Sequence, residues 1–371
     1  MDVVPVVSPN DLTRFIRLQH QIYRDDPNWV APLPSDEKTR LAPGKNPYFE
    51  HAEAAYFLAR EDGRDVGRIA ASVDRNYDSI HGERQLAFGF LEAESAKAVE
   101  ALVRAAERWG RERGAKVMRG PMNFTTNDDC GLLIRGFEEP PTILMPYNPP
   151  SYAAWLESAG MKKAKDLFAF RVPIPASPEQ EIPQVTRIAR KCSERHRIHV
   201  RPLDMKHFEE ELQKVKVIYN SAWEKNWGFV PMTEHEIDHM AGQLKPAIVP
   251  QLALFAEIDG ETVGFALAIP DVNVVLKPIR GRLFPFGIVR LLWSLPRIRT
   301  LRLMALGVKA GFRRRGIDAA LVHRAAVVSH ARGYTWCEVG WTLEDNDLIN
   351  GLIEAVNGDR YKTYRIYERS L

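Results

Sequence analysis

An arginine-rich turn in the C-terminal part of the chain is the clearest candidate for binding chemistry. Residues Arg313 to Gly316 read RRRG, and they lie between an apolar run, Leu303 to Val308, and a segment of helical periodicity, Ile317 to Val328. These patterns predict a strand, a basic turn and a helix N-terminus in succession. The first N–H groups of a helix lack partners, the helix dipole adds positive potential, and glycine permits close approach. The turn is therefore predicted to bind a pyrophosphate, and the alternative is a solvated basic turn.

This stretch resembles the acetyl-CoA-binding segment of the GNAT acyltransferase superfamily. There, a strand precedes Gln/Arg-x-x-Gly-x-Gly/Ala, and here Val308 precedes Arg313-x-x-Gly316-x-Asp318. Asp318 replaces a small residue, and we expect its side chain to point away from the phosphates while its N–H faces them. The dinucleotide fingerprint and the Walker P-loop are both absent. The resemblance implies that acyl-CoA is bound by Leu306, Gly307, Val308, Arg313, Arg314, Arg315, Gly316, Ile317, Asp318 and Asn346.

The chain is also a diverged tandem repeat. Short residue pairs of the first half recur in the second half at a nearly constant separation, which is typical of a duplicated fold. The second copy has an extra segment between Lys277 and Thr300, and the first copy has one near Asn123 to Pro146. Matching pairs include Ile22-Tyr23 with Ile218-Tyr219, Asn28-Trp29 with Asn226-Trp227, Asp62-Gly63 with Asp259-Gly260, and Val66-Gly67 with Val263-Gly264. The repeat predicts two copies of one fold.

We therefore predict an α/β chain (an α+β mixed sheet) of two tandem GNAT-like domains. A first domain is placed at residues 1–172, a proline-rich linker at 173–185 and an acyl-CoA-binding GNAT domain at 186–371. In the first copy, Glu92-Ala93-Glu94 stands where the second copy has its basic turn. Carboxylates at a helix start repel a pyrophosphate. The first domain is therefore predicted to be degenerate, and CoA is predicted to bind only the second.

The resemblance implies acyl transfer to an amine, which needs a donor to the thioester carbonyl and a base. In the family the carbonyl donor comes from a bulged strand, which we place at Leu306 to Val308. Glu338, on a predicted strand Trp336–Trp341, is the candidate base, with Glu344 and Asp345 as alternatives. A glutamate in a strand is more often paired or solvent-facing than catalytic. Glu338 is nevertheless our prediction for the proton acceptor.

A proton donor to the leaving thiolate is harder to place. The tyrosine that many GNAT proteins carry seven or eight residues after the helix asparagine is missing, because Ile353 and Glu354 follow Asn346 at those positions. Tyrosines instead cluster in the probable strand Tyr361 to Tyr367. We predict that Tyr364 is the catalytic acid, and packing is the alternative for each ring.

Composition restricts the class of protein and its surroundings. The 371 residues include 45% hydrophobic and 27% charged residues, with a net charge of +3, which is typical of a globular protein and too small to favour nucleic acid. The three cysteines lack metal-ligand spacing, so no metal is expected. Signal-peptide and membrane-span patterns are also missing. We expect a cytoplasmic protein, with peripheral contact at the inner membrane as the further hypothesis.

That hypothesis rests on the extra segment of the second copy. It combines arginines with large apolar residues, which suits a membrane interface or a mouth that receives an acyl chain. A core helix with its arginines directed to water explains the pattern equally well. We expect membrane contact through residues 280–299. The apolar residues concerned are Leu283, Phe284, Phe286, Ile288, Leu291, Leu292 and Trp293.

Nearly the whole chain resembles bacterial tandem GNAT proteins that share GPMNF-x-TND-x-CGLL, MPYNPP, NWGFVPM and YK-x-YRIYE. Some proteins of this kind are bacterial ceramide synthases, which implies acyl-CoA and an amine acceptor as partners, and a long-chain acyl group with a sphingoid base as substrates. Three alternatives stay open: an N-acetyltransferase of a small amine, a Fem-like aminoacyltransferase and a non-catalytic acyl-CoA sensor. The arginine turn, and the lack of a helical arm, disfavour the Fem-like alternative.

Overall fold

The computed structural model describes residues 1–224, 226–281 and 293–371. The chain divides into two compact units. The first comprises Met1–Leu167, the described part of Leu276–Arg290, and Lys362–Leu371; the second comprises Phe168–Val275 and the described part of Leu291–Tyr361. Each unit thus combines stretches that are distant in sequence. The domain limits placed at 172 and 186 remain predictions.

The first unit contains a mixed sheet in the order β1-β2-β3-β4-β5-β13, and β6 also pairs with β13. Its pairs are antiparallel except for β4 with β5, which are parallel. The strands are β1 Asp2–Pro5, β2 Ala52–Glu61, β3 Arg64–Asp74, β4 Gln85–Ala93, β5 Val117–Gly120 and β6 Leu132–Arg135, with parts of β7 Lys162–Pro173 and β13 Asp359–Ser370. The helices are α1 Pro9–Ile22, α2 Pro34–Arg40, α3 Arg75–His81, α4 Ala96–Glu112 and α5 Ser151–Ser158.

The second unit repeats this plan in the strand order β7-β12-β11-β10-β9-β8. Its strands are β8 His199–Pro202, β9 Ala253–Ile258, β10 Glu261–Pro270, β11 Thr300–Val308 and β12 Trp336–Leu343. Its helices are α6 Pro178–Glu181, α7 Pro183–His196, α8 Phe208–Trp223, α9 Glu234–Leu244, α10 Asn273–Leu276, α11 Ile317–Ala331 and α12 Asp347–Glu354. Single 3₁₀ turns occur at Pro47–Glu50, Met205–His207, Lys245–Ala247, Pro250–Leu252, Lys277–Ile279, Leu295–Arg297 and Ala310–Phe312.

The internal repeat is visible in the backbone. The aspartates of the two hairpin turns, Asp62 and Asp259, have φ values of 51° and 49°, and a glycine with positive φ follows each of them. Left-handed conformations at both central residues are what a two-residue hairpin turn requires. A second matching pair, Asp74 and Asp271, accepts the N–H of the residue two positions on. The mixed α/β fold predicted from the sequence is confirmed.

The two faces of the second sheet pack against different helices. Leu301, Cys337 and Val339 lie in a cluster with Val328 of α11. Because side chains alternate along a strand, Arg302 and Glu338 face the opposite side. That side carries α8, whose Trp223 packs with Phe265 and Ala305. Glu338 therefore lies on the α8 face of the sheet.

Candidate active site

The arginine turn ends in a glycine that the local geometry requires. Gly316 is the N-cap of α11, with φ 75°, and it supplies no side-chain cap. A Cβ placed on Gly316 would lie 2.6 Å from the Sγ atom of Cys192 in α7. The first-turn N–H groups of α11 are therefore not covered by a cap side chain, and the main chain at this turn has no room for a larger residue.

The three arginines of the turn are exposed and have different contacts. Arg313 donates to the carbonyls of Ala222 at 2.9 Å and Ser221 at 3.3 Å, at the end of α8. Arg315 lies over the ring of Phe312, with its guanidinium carbon 4.8 Å from the ring centroid. Arg314 has φ 62°. Three cations thus lie at the N-terminus of α11, an arrangement that favours an anion, and Arg313 additionally joins the turn to α8.

Asp318 adopts an orientation that the sequence did not predict. Its Oδ1 atom accepts the N–H of Ala319 at 2.9 Å. The side chain therefore turns back onto the first turn of α11, instead of pointing away from it as expected. A phosphate at this helix end would meet the carboxylate, which then has to give up that N–H.

Strands β11 and β12 separate beside the turn. Their parallel pairing runs from Thr300 with Trp336 to Leu303 with Val339, whereas β11 continues to Val308 and β12 to Leu343. The opposite edge of β11 stays paired with β10 as far as Val308. Beyond Leu303, the β12-facing edge of β11 therefore offers main-chain amides to a ligand that enters between the two strands.

The bulge predicted at Leu306 to Val308 is wrong. Those three residues pair regularly with β10, and the register shifts instead around Met304, because Leu303 and Ala305 oppose adjacent residues of β10. Gly307 has another role. A Cβ there would lie 3.0 Å from ring carbons of Trp223 and 3.1 Å from the Cβ of Ala222. Gly307 thus permits α8 to approach the strand.

Glu338 lies at the centre of a buried polar cluster. It is 0% exposed, and it faces Arg302 of β11, whose Nε lies 3.9 Å from its Oε1. The hydroxyl of Tyr361 donates to its Oε2. The guanidinium of Arg171 lies 4.9 Å from the centroid of the Tyr361 ring and 4.7 Å from that of Trp336. A carboxylate is thus held beside a cation and a phenol on the α8 face.

The neighbouring cysteine is not poised as a nucleophile. Burial, with a smaller contribution from the charge of Glu338, raises the pKa of the Cys337 thiol to about 12. The thiolate is the reactive form of cysteine, so at neutral pH Cys337 stays a thiol.

Two other predicted residues lie elsewhere. Asn346 is the N-cap of α12, and its Oδ1 accepts the N–H of Ile349 at 3.4 Å. Tyr364 belongs to the first unit; it is 0% exposed and pairs with Leu133 of β6. The structure brings Glu338 together with Tyr361, a residue not chosen from the sequence. Side-chain roles at Asn346 and Tyr364 remain predictions.

The first unit contains the matching opening between β4 and β5, and its own chain fills it. The pairing of these strands ends at Ala87 with Arg119. Beyond it, Met122 donates its N–H to the carbonyl of Phe88 at 2.7 Å, and the side-chain oxygen of Asn123 accepts the N–H of Phe90 at 2.7 Å. These are main-chain groups that a ligand would otherwise use. This segment belongs to the extra residues of the first copy. Local sequence patterns did not predict where it lies in the fold.

The helix start of the first unit is closed as well. Ser95 caps α4 by accepting the N–H of Ala98. Glu92, predicted as a repelling carboxylate, is buried and accepts the hydroxyls of Tyr23 at 2.8 Å and Tyr152 at 3.0 Å. Burial raises the pKa of Glu92 to about 7. In the first unit the helix start is therefore capped by a side chain, and the strand edge pairs with the unit's own chain.

Relatives of known name cover the whole chain. It is 38% identical over 379 aligned residues to the bacterial ceramide synthase of Caulobacter vibrioides, covering 100% of this chain and 98% of that protein. The chain belongs to the family of that bacterial ceramide synthase. Protein YghO of Escherichia coli is 35% identical, with 98% of this chain and 94% of that protein covered. No family model matches the chain.

Solved structures show the same tandem fold. A tandem GNAT protein from the clavulanic acid biosynthesis pathway aligns with a TM-score of 0.57 at 13% identity, over 100% of this chain and 98% of its own. A GCN5-related N-acetyltransferase from Sphaerobacter thermophilus aligns with a TM-score of 0.52 at 16% identity, over 99% of this chain and 95% of its own. The predicted tandem GNAT architecture is confirmed, and this member of the ceramide synthase family is an N-acyltransferase.

The described residues contain neither a membrane-spanning helix nor a metal-binding cluster. None of the helices described is long and apolar enough to cross a membrane. Within the same residues, no group of three or more His, Cys, Asp or Glu side chains is placed to hold a metal ion. Most of the extra segment, including Leu283, Phe284, Phe286, Ile288, Leu291 and Leu292, lies outside the described residues.

Proposed function

We propose that this family member transfers a long acyl chain from acyl-CoA to the amine of a lipid-like acceptor such as a sphingoid base. The observation that carries the proposal is the 38% identity, over the full length, to a protein named bacterial ceramide synthase. Three features of the second unit support the proposal: the arginine turn as an anion site, the edge of β11 that β12 leaves open, and the aromatic side chains on the α8 face of the sheet.

The anion site and the strand edge fit the two ends of CoA. Arg313, Arg314 and Arg315, with the N–H groups of Ile317 and Asp318, would hold the pyrophosphate at the start of α11. The main-chain groups of Met304 to Val308 would pair with the amides of the pantetheine arm, because β12 no longer covers that edge. The irregularity at Met304 would direct a strand N–H at the thioester carbonyl. Acyl-CoA is therefore proposed to lie along β11.

The acyl chain needs an apolar lining, because each methylene moved from water contributes about 0.8 kcal/mol. The α8 face supplies one. Trp223 lies with its ring centroid 4.5 Å from that of Tyr219 and 6.2 Å from that of Phe265, and Phe229 lies 6.1 Å from Tyr219. This aromatic group adjoins Gly307. We place the acyl chain or the lipid acceptor beside it.

CoA is proposed to bind the second unit only, at one site per chain. The first unit closes its strand edge with Met122 and Asn123 and caps its helix with Ser95. Calorimetric titration of the full chain with CoA should therefore give a stoichiometry of one. A stoichiometry of two would contradict the assignment of the first unit as a degenerate domain.

Contact with a membrane surface is the remaining part of the proposal. Trp293, at the described edge of the extra segment, is 67% exposed, and the guanidinium carbon of Arg297 lies 3.4 Å from its ring centroid. An exposed tryptophan beside an arginine suits an interface with anionic lipid head groups. We propose a cytoplasmic enzyme that meets the inner membrane through residues 280–299.

The decisive experiment compares acyl donors and acceptors. Acetyl-, octanoyl- and palmitoyl-CoA are each tested with a sphingoid base and with a small polyamine, and thiol release is measured. We expect the highest kcat/KM for palmitoyl-CoA with the sphingoid base. The lipid proposal fails if acetyl-CoA gives the highest kcat/KM, or if the polyamine is preferred; the enzyme would then acetylate a small amine.

A further inference from the structure

We infer that Tyr361 is the hydroxyl through which Glu338 exchanges protons with the amine substrate. This inference rests on the proposed acyltransferase function and concerns the movement of protons within its site. It differs from the sequence-based choice of Tyr364, which the structure places in the first unit.

Burial prevents the carboxylate of Glu338 from exchanging protons directly with water or with the amine substrate. Glu338 is 0% exposed, so neither bulk water nor a bulky amine reaches its oxygens without an intermediary. Its Oε1 faces the guanidinium of Arg302, and its Oε2 accepts the hydroxyl of Tyr361. Tyr361 is only half-buried. The phenol therefore connects the carboxylate to a less enclosed position.

The surroundings of Tyr361 suit a group that passes protons. The guanidinium of Arg171 lies 4.9 Å from the centroid of the Tyr361 ring and 4.7 Å from that of the Trp336 ring, so cation–π contacts to both rings hold Arg171 beside the phenol. A cation over the ring also stabilises negative charge that develops on the phenol during proton transfer. Arg171 therefore acts as a positioning residue for Tyr361.

Glu338 lies close to the point on the strands where the acyl group is proposed to bind. Glu338 pairs with Arg302, one residue before the last paired position, Leu303 with Val339. The strands separate directly beyond that point, where the thioester is proposed to lie. Glu338 also lies on the α8 face, which carries the aromatic group around Trp223. The pair is therefore near both proposed substrates.

The proton transfers balance as follows. The substrate ammonium gives one proton to the oxygen of Tyr361, while the hydroxyl proton of Tyr361 moves to Glu338. The neutral amine then forms a bond to the thioester carbon, and the carbon–sulfur bond breaks. The thiolate takes the second proton from the nitrogen. Glu338 returns its proton through Tyr361 to solvent after the products leave. One amide, one thiol and one released proton result.

The charged and titratable groups around the pair bear on its pH dependence. Arg302 faces Glu338 from β11, and Arg171 faces Tyr361 from β7. Cys337, on the same strand as Glu338, donates its thiol to the carbonyl oxygen of that residue at 3.4 Å. Its thiol remains protonated over the range to be tested up to pH 10, because burial raises its pKa to about 12.

The test uses the full chain with palmitoyl-CoA and a sphingoid base, and compares Tyr361→Phe, Glu338→Gln and the double variant with the wild type. At pH 7 each single variant should lower kcat/KM by about 10²–10⁴-fold, and the double variant should be little worse than either, because the two groups act as a unit. Tyr334→Phe, at a half-buried tyrosine of the same unit, is the matched control and should leave activity unchanged.

A pH profile separates proton transfer from a structural role. Near pH 10 a substantial fraction of an alkyl amine is already neutral without help, whereas almost none is at pH 7. The deficit of both variants should therefore shrink at least about tenfold relative to pH 7, while the Kd for CoA stays that of the wild type. A deficit below about fivefold at pH 7, or one equal at both pH values, overturns the inference. If the wild type itself acylates no amine, the proposed function fails instead.

Discussion

Replacing the buried Glu92 by glutamine should make the first unit more stable above neutral pH. The carboxyl lies among the hydroxyls of Tyr23 and Tyr152, and Arg68 lies 3.9 Å away. Burial is the largest influence on its pKa, which it raises to about 7 from an ordinary value of 4.5. A glutamine can accept the same two hydroxyl hydrogen bonds without a charge.

The magnitude follows from the difference between the two pKa values. The folded state holds the proton more tightly than the unfolded state, so this contribution to stability is complete below about pH 4.5 and is lost as the pH rises through about 7. A difference of 7 − 4.5, at 1.36 kcal/mol per unit, corresponds to roughly 3 kcal/mol. The wild type should therefore lose up to about 3 kcal/mol relative to Glu92→Gln between pH 5 and pH 8.

Urea unfolding of the full chain, followed by circular dichroism from pH 5 to pH 8.5, measures this difference. The m-value should stay constant, so that the midpoint reports stability. The Glu94→Gln variant is the control, because Glu94 pairs with the exposed Arg64 and should keep the wild-type pH slope. Burial also raises the pKa of Glu37, which remains in both proteins. Parallel pH curves for wild type and Glu92→Gln would refute the reasoning.

Three further variants test the clefts and the acid. Gly316→Ala should weaken CoA binding at least about tenfold by calorimetry, because φ at this position is 75° and the new Cβ would lie 2.6 Å from a sulfur atom. The control Gly311→Ala should bind CoA as the wild type does, because its Cβ meets nothing within 4 Å. Gly89→Ala, whose Cβ would lie 1.9 Å from a carbonyl oxygen, should lower the free energy of unfolding by roughly 3 kcal/mol and leave the Kd for CoA unchanged. Tyr364→Phe tests the acid chosen from the sequence. Because Tyr364 is fully buried in the first unit and the thiolate is proposed to take its proton from the nitrogen, kcat should change by less than about fivefold; a loss of about 10²–10⁴-fold would instead make Tyr364 the catalytic acid.

Local patterns in the sequence were enough to predict the two hairpins and the helix that follows the arginine turn. The hairpin at Asp62 was predictable because Asp-Gly adopts the left-handed angles of a tight turn. The helix after the arginine turn was predicted from Ile317, where the structure has it begin. Such features depend on residues that are close in sequence, so they can be predicted without knowing which distant residues they contact.

Contacts between distant residues were not predictable in this way. The environment of Glu92 depends on Tyr23 and Tyr152, which are 69 and 60 positions away, and the same holds for the phenol that contacts Glu338, 23 positions away. The register shift at Met304 was not predicted either. Gly307 suggested a bulge at its own position, whereas the structure shows that this glycine makes room for Trp223. Side-chain partners of this kind require the tertiary structure.

The chain segment in the first cleft also outlines a route to selective inhibitors. Met122 and Asn123 occupy a strand edge with two hydrogen bonds of 2.7 Å and without any phosphate group. Gly89 between the two bonded positions lets this backbone lie flat against the strand. A short peptidomimetic that copies the two amides would address the corresponding edge of β11 in the second unit. Such a compound would compete with the pantetheine arm while carrying no negative charge, so it would not depend on the arginine turn for affinity.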